Sequence, residues 1–240
     1  MTTPSLDDLS VKIFADGADR AGIMGHYADV RIKGFTTNPT LMRKAGITDY
    51  EAFAHEILAE IKDRPISFEV FSDDFDEMYR QARLIAGWGD NVYVKIPVTN
   101  TKGESAVPLV RRLAPQGVKM NVTALFTTQQ VREVSDALAD AAPSNISVFA
   151  GRIADAGVDP LPIMREALEI MAPRPQQELI WASPRELYNV IQANDIGCHI
   201  ITATSDILAK LKLIGKDLDQ YSLETVKMFY DDASAAGFVL

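Results

Sequence analysis

Lys95 occupies a position where an ammonium ion is costly. The run Val92-Tyr93-Val94-Lys95-Ile96-Pro97-Val98 reads as a buried parallel strand, normally a near-continuous apolar segment, with one lysine at its centre. An unpaired charge in such a place either finds a partner or gives up its proton. A lysine desolvated in this way is a nucleophile near neutral pH, suited to forming a Schiff base with a ketone or aldehyde. Other residues able to do chemistry recur at the ends of neighbouring strand-like segments. These are Asp16, the Thr36-Thr37-Asn38-Pro39 turn, Glu69, Ser147 with Arg152 beyond it, and Ser183 with Arg185 two residues on. Asn121 and Thr123 lie two apart and so share one face of a strand.

Singly, each of these has an ordinary structural role. Lys95 could pair with Glu69, and Asp16 could cap a helix starting near Ala18. Ser183 before Pro184 fits an N-cap followed by proline at the first helical position, and Thr36 to Asn38 fit a plain turn. Arg152 and Arg185 taken alone read as surface residues. The signal is their joint placement at one end of successive strands. The three histidines and the single cysteine, Cys198, show no metal-ligand spacing, and His199 reads as a hydrogen-bonded core residue.

The elements that must position this set are short and repetitive. Eight β-branched-rich segments read as strands: residues 11–15, 30–35, 66–70, 92–96, 118–122, 146–149, 178–181 and 198–202. Helical periodicity lies between them, as in Phe53, Ile57, Leu58 and Ile61, or Val131, Val134 and Leu138. Thr128, Ser205 and Ser222 are the expected N-caps of later helices. Strands alternating with helices imply a parallel sheet, and eight units in this length predict a single α/β domain, a (β/α)8 TIM barrel. The competing doubly wound sheet usually carries a Gly-rich phosphate turn, and none occurs here. In such a barrel the polar strand ends fall at the C-terminal mouth, where barrel chemistry resides. An additional amphipathic C-terminal helix, about residues 222–236, presents Val226, Phe229, Tyr230 and Ala233.

Bulk composition narrows the function classes. With 33 acidic against 24 basic residues and a net charge of −9, the chain does not suit general nucleic-acid binding. One cysteine allows no internal disulfide, which fits a reducing cytoplasm. Residues 1–10 lack the basic and apolar regions of a signal peptide, and no apolar run approaches a membrane span.

Three segments taken in order resemble the transaldolase family, including its small transaldolase-like and fructose-6-phosphate-aldolase-like branch. They are Gly34-Phe35-Thr36-Thr37-Asn38-Pro39-Thr40, Val94-Lys95-Ile96-Pro97-Val98-Thr99, and Asn121-Val122-Thr123-Ala124-Leu125-Phe126. Asp16 in Phe14-Ala15-Asp16 also fits, and the resemblance runs from about Phe14 to Thr202.

The resemblance implies a class I Schiff-base enzyme that moves a dihydroxyacetone unit between sugar phosphates, with no metal and no organic cofactor. Lys95 would be the Schiff-base lysine and Asp16 the acid/base at the C4 hydroxyl. Glu69 and Thr123 would hold a catalytic water. Asn38, Asn121 and Ser147 would grip the dihydroxyacetone hydroxyls, with Thr36 beside them. Arg152, Ser183 and Arg185 would bind phosphate. Glutamate at 69, where the related aldolases tend to have glutamine, leans toward transfer. Proline at 184 replaces the family's usual aromatic, which leaves open a different anionic end group such as a sulfonate. The alternatives are a fructose-6-phosphate-type aldolase and a catalytically idle sugar-phosphate-binding barrel. The compact branch also implies a homo-oligomer built through the C-terminal helix.

Overall fold

The computed structural model describes residues 5–239, so residues 1–4 of the N-terminal segment and the final Leu240 of the tail lie outside the described residues. Eight parallel strands close into a barrel in chain order. They are β1 (Lys12–Asp16), β2 (Ile32–Thr36), β3 (Ile66–Glu69), β4 (Val92–Pro97), β5 (Met120–Leu125), β6 (Ser144–Val148), β7 (Gln177–Trp181) and β8 (Ile200–Thr204). Closure comes from β8 pairing with β1, from Lys12 opposite Ile200 to Asp16 opposite Thr204. The helices are α1 (Arg20–Tyr27), α2 (Pro39–Lys44), α3 (Tyr50–Glu60), α4 (Phe75–Ala86), α5 (Val107–Leu113) and α6 (Thr128–Ala137). They continue with α7 (Ala150–Asp155), α8 (Pro160–Met171), α9 (Tyr188–Asp195), α10 (Ser205–Leu208) and α11 (Leu218–Ala235). The chain is thus the expected (β/α)8 barrel.

Strand alternation divides the core in two. Ile13 and Ala15 of β1, Ile66 and Phe68 of β3, Val92, Val94 and Ile96 of β4, and Leu179 and Trp181 of β7 all join the large apolar cluster shared with the helices. The residues between them point the other way, into the barrel. There a small separate apolar plug forms from Phe14, Ile180, Ala182 and Ile200. Gly34 makes room for it: a Cβ at this position would lie 2.5 Å from the Phe14 ring. The remaining inward positions toward the strand ends are polar: Asp16, Thr36, Ser67, Glu69, Lys95, Asn121, Thr123, Ser147 and Thr202.

This corrects the expectation of a strand apolar on both faces around Lys95. Only the outward face of β4 is apolar. Lys95 faces a polar interior, which is why the fold tolerates it.

Several helix starts also differ from expectation. Thr127 rather than Thr128 caps α6, accepting from the Gln130 N–H, and Thr204 rather than Ser205 precedes α10. Asp217, not Ser222, caps α11, which therefore starts four residues earlier than expected. Asp19, not Asp16, caps α1, leaving Asp16 free for the barrel mouth. No residue of α11 is buried, and Val226, Phe229 and Tyr230 are all exposed. Among the described residues, no helix is long and apolar enough to cross a membrane.

Candidate active site

The C-terminal strand ends open onto a cavity of about 590 Å³, lined by Asp16, Thr36, Asn38, Glu69, Lys95, Thr123, Ser147, Arg152, Ser183 and Arg185 among others. This is within the size range of small-molecule sites. Ten of the eleven residues singled out from the sequence meet in this one place. The exception is Asn121, which lies beneath the cavity floor and is fully buried. Its amide donates to Ser67 Oγ at 3.0 Å, and its carbonyl accepts from Ser147 Oγ at 2.7 Å. In this arrangement Asn121 orients Ser147.

Lys95 is buried, 7% exposed. Register on β3 and β4 sets Glu69 directly beside it, and Nζ lies 3.3 Å from Glu69 Oε2. Nζ also donates to the Thr37 carbonyl at 3.1 Å. The amine therefore carries one carboxylate partner and one fixed backbone acceptor. Glu69 is held in turn by Tyr50 of α3, whose hydroxyl accepts from the Glu69 N–H at 2.7 Å and donates to its carbonyl at 2.8 Å. Burial raises the Glu69 carboxyl above its ordinary value, against the opposing charge of Lys95.

Asp16 lies on the same cavity. Burial raises its pKa as well, and the positive charge of Lys95 and the Thr36 hydroxyl pull in the other direction. Thr36 Oγ1 donates to Asp16 Oδ1 at 2.8 Å and lies 2.5 Å from Thr202 Oγ1. Two buried carboxyls with raised pKa values in one cavity with an amine form a set of groups able to exchange protons. Thr123 Oγ1 is buried and has no hydrogen-bond partner among the described residues. It is the polar atom here best placed to hold a water. The next residue, Ala124, adopts a left-handed conformation at φ 63°, where the β5–β6 register shifts. Ala124 itself lines the cavity at that irregularity.

The end of the cavity around Ser183 and Arg185 differs from expectation. Ser183 caps no helix, because α9 begins only at Tyr188. Instead Ser183 is left-handed at φ 59° and packs its carbonyl against Gly151 of α7, where a Cβ would lie 1.7 Å away. Arg185 pairs with Asp155, Nε lying 2.9 Å from both carboxylate oxygens, and donates through Nη1 to Ser183 Oγ at 3.0 Å. The guanidinium holds the Asp155 carboxyl below the usual carboxylate range. Arg152, on α7 rather than on an extended sixth strand, stacks its guanidinium 5.5 Å from the Phe149 ring centre. Lys44 of α2 adds a further cation at the rim.

Asn38 caps α2 through its carbonyl oxygen, which accepts from the Leu41 N–H at 2.9 Å, leaving its amide group for the cavity. His199 is a half-buried structural residue as expected: its Nδ1 accepts from the Leu179 N–H at 3.0 Å. Among the described residues, no cluster of His, Cys, Asp and Glu could hold a metal ion. Thr202, Thr204, Tyr50, Lys44, Asp155 and Gly151 also shape the site without standing out in the sequence. A threonine two residues after another inward position on β8 was the available signal for Thr204.

A closed parallel barrel with a buried lysine paired to one carboxyl and sharing a cavity with a second at its C-terminal mouth defines a (β/α)8 protein with an enzyme-like site. The chain belongs to the transaldolase/fructose-6-phosphate aldolase family, whose model matches residues 13–239. It is 38% identical over 202 residues to a protein named "Probable transaldolase" from Streptococcus pyogenes serotype M5 (strain Manfredo), covering 84% of this chain and 90% of that one. A protein of the same name from Dehalococcoides mccartyi is 34% identical over the same length and coverage. Among solved structures, 2,3-dimethylmalate lyase, a PEP mutase/isocitrate lyase superfamily member, superposes with a TM-score of 0.54 at 14% identity, covering 97% of this chain and 86% of that one. That likeness is of fold alone. The protein is accordingly an aldolase/transaldolase-type enzyme.

Proposed function

We propose that the protein is a transaldolase that carries a dihydroxyacetone unit from a ketose phosphate to an aldose phosphate as a Schiff base on Lys95. The observation that carries this reading is the buried Lys95 amine, held between Glu69 and the Thr37 carbonyl in a cavity shared with Asp16. Glu69, with its raised carboxyl, takes a proton from Nζ directly or through a water on Thr123. The freed amine attacks the ketose carbonyl and water leaves, giving an iminium that withdraws electrons from C3. Asp16 accepts the C4 hydroxyl proton, the C3–C4 bond breaks, and the aldose phosphate departs. The enamine left on Lys95 then adds to the acceptor aldehyde by the reverse steps.

Ser147 and the Asn38 amide face the dihydroxyacetone end. Arg152 faces the phosphate, with Lys44 and the Asp155-bound Arg185 beside it. We place copies of the chain in a homo-oligomer through α11, whose apolar residues are uncovered, and the enzyme in the cytoplasm.

The Arg185–Asp155 pair favours a second reading, in which the end group is a different anion from phosphate. Assays with fructose 6-phosphate and erythrose 4-phosphate, and with a sulfonated ketose as donor, test both. Transfer exceeding net release of dihydroxyacetone supports the transaldolase. Release without transfer makes it an aldolase, and activity only on a sulfonated ketose supports the second reading.

A further inference from the structure

We infer that Thr202 is a positioning residue for Asp16, acting through Thr36 as the outer member of a buried two-hydroxyl relay. This rests on the assignment of Asp16 as the acid/base in the Schiff-base reading above.

Thr36 Oγ1 has one hydrogen and two near neighbours, Asp16 Oδ1 at 2.8 Å and Thr202 Oγ1 at 2.5 Å. It cannot donate to both. With Asp16 ionised, a carboxylate only accepts, so Thr36 donates to Asp16 and Thr202 must donate to Thr36. The chain then runs in one direction and ends on the charge, which is the strong arrangement. With Asp16 protonated on Oδ1, both hydroxyls must reverse, and Thr202 must find another acceptor. Among the described residues, the only hydrogen-bond partner of the Thr202 side chain is Thr36. Protonated on Oδ2 instead, Asp16 keeps the relay's direction but loses its charge-assisted end. In either case the relay favours ionised Asp16, the form that accepts the C4 hydroxyl proton.

The surroundings leave this task to the hydroxyls. Thr36 and Thr202 are 2% and 6% exposed, and what remains open faces the cavity they both line. The two strands flanking β1, β2 and β8, bring no charged side chain inward at this level: Thr36 and Thr204 are the register partners of Asp16. The charged groups facing Asp16 lie farther round the barrel, with Lys95 on β4 favouring its ionisation and Glu69 on β3 opposing it. At the rim stand Lys44 on α2, Arg152 on α7 and Arg185 after β7, and Asp206 on α10 is engaged by the Thr204 hydroxyl.

The test is single-turnover release of aldose phosphate from fructose 6-phosphate across pH, for wild type, Thr202→Val and Thr202→Ser. Thr202→Val should move the acidic limb of the profile to higher pH and slow release about three- to tenfold on that limb, the worth of one hydrogen bond. Thr202→Ser should restore both. Borohydride trapping on Lys95 should be unchanged in all three. If Thr202→Val does not fold by thermal melting, Thr202→Ala takes its place with the same expected shift. A wild-type limb in the hydroxyl-free variant, or failure of serine to rescue, overturns the relay. Absence of trapping in the wild type overturns instead the Schiff-base reading on which it rests.

Discussion

Replacing Lys95 by methionine should destabilise the barrel by an amount that depends on pH. Methionine keeps the volume of the lysine stem, so no cavity opens, and the loss is electrostatic. At 3.3 Å from Glu69 Oε2, the gross attraction is about 5 kcal/mol for an effective dielectric constant near 20. Removing the ammonium also removes its own desolvation cost, so the net penalty at pH 8 is about 2–4 kcal/mol.

The penalty shrinks in acid. Burial already raises the carboxyls of Glu69 and Asp16, and Lys95 is the main charge restraining both. Without it both rise further. The folded variant then holds protons that the unfolded chain releases above the ordinary glutamate value of 4.5. For such groups the stability is fully present below that value and is lost as pH rises through the folded pKa. The penalty at pH 5 is therefore smaller than at pH 8, with the hydrogen bond to the Thr37 carbonyl contributing about 1 kcal/mol at both. Urea unfolding of wild type and variant at pH 5 and pH 8, at one protein concentration, measures the difference. Equal penalties at the two pH values would refute the claim that Lys95 compensates the buried acids.

Other expectations follow from the same geometry. Asp16→Asn should still form the borohydride-trapped adduct but release aldose about 10²- to 10⁴-fold more slowly in a single turnover; lost trapping would move Asp16 to imine formation. Arg152→Ala should raise KM for a phosphorylated ketose about 10- to 100-fold while leaving turnover of the unphosphorylated sugar unchanged; an unmoved KM would take Arg152 out of the anion site. A chain ending before Asp217 should scatter light as a smaller particle than the full chain, because the exposed apolar residues of α11 are gone. Equal masses per chain count would place the contact elsewhere.

The barrel was legible because its two periodicities are clean. Short β-branched segments alternate with 3.6-residue apolar faces, and the strand ends shift by only a few residues between expectation and structure. Val30 marks such a shift: it is β-branched yet 74% exposed, standing in a turn before Ile32 opens β2.

The environment of Lys95 was less legible. Its apolar neighbours Val94 and Ile96 face the helices, and only closure of the sheet reveals that Lys95 faces hydroxyls and a carboxylate. Thr202 was hidden for a related reason, since it ends an apolar run whose partners are set by the β8–β1 pairing nearly two hundred residues apart in sequence. Tyr50 holds Glu69 by its backbone, an interaction that leaves no trace in side-chain pattern. Ser183 before Pro184 satisfies the sequence rule for a helix start. The close approach of Gly151 to the Ser183 carbonyl fixes a left-handed turn there instead, and the helix waits until Tyr188.

The central claim is that one buried amine forms the covalent link to substrate. Incubating the enzyme with fructose 6-phosphate, reducing with borohydride and mapping the peptides by mass spectrometry tests it directly. A reduced ketose adduct on Lys95, absent from Lys95→Met, is the expected result. An unmodified Lys95 with every ketose phosphate and ketose sulfonate tried, or an adduct on a different lysine, would contradict it.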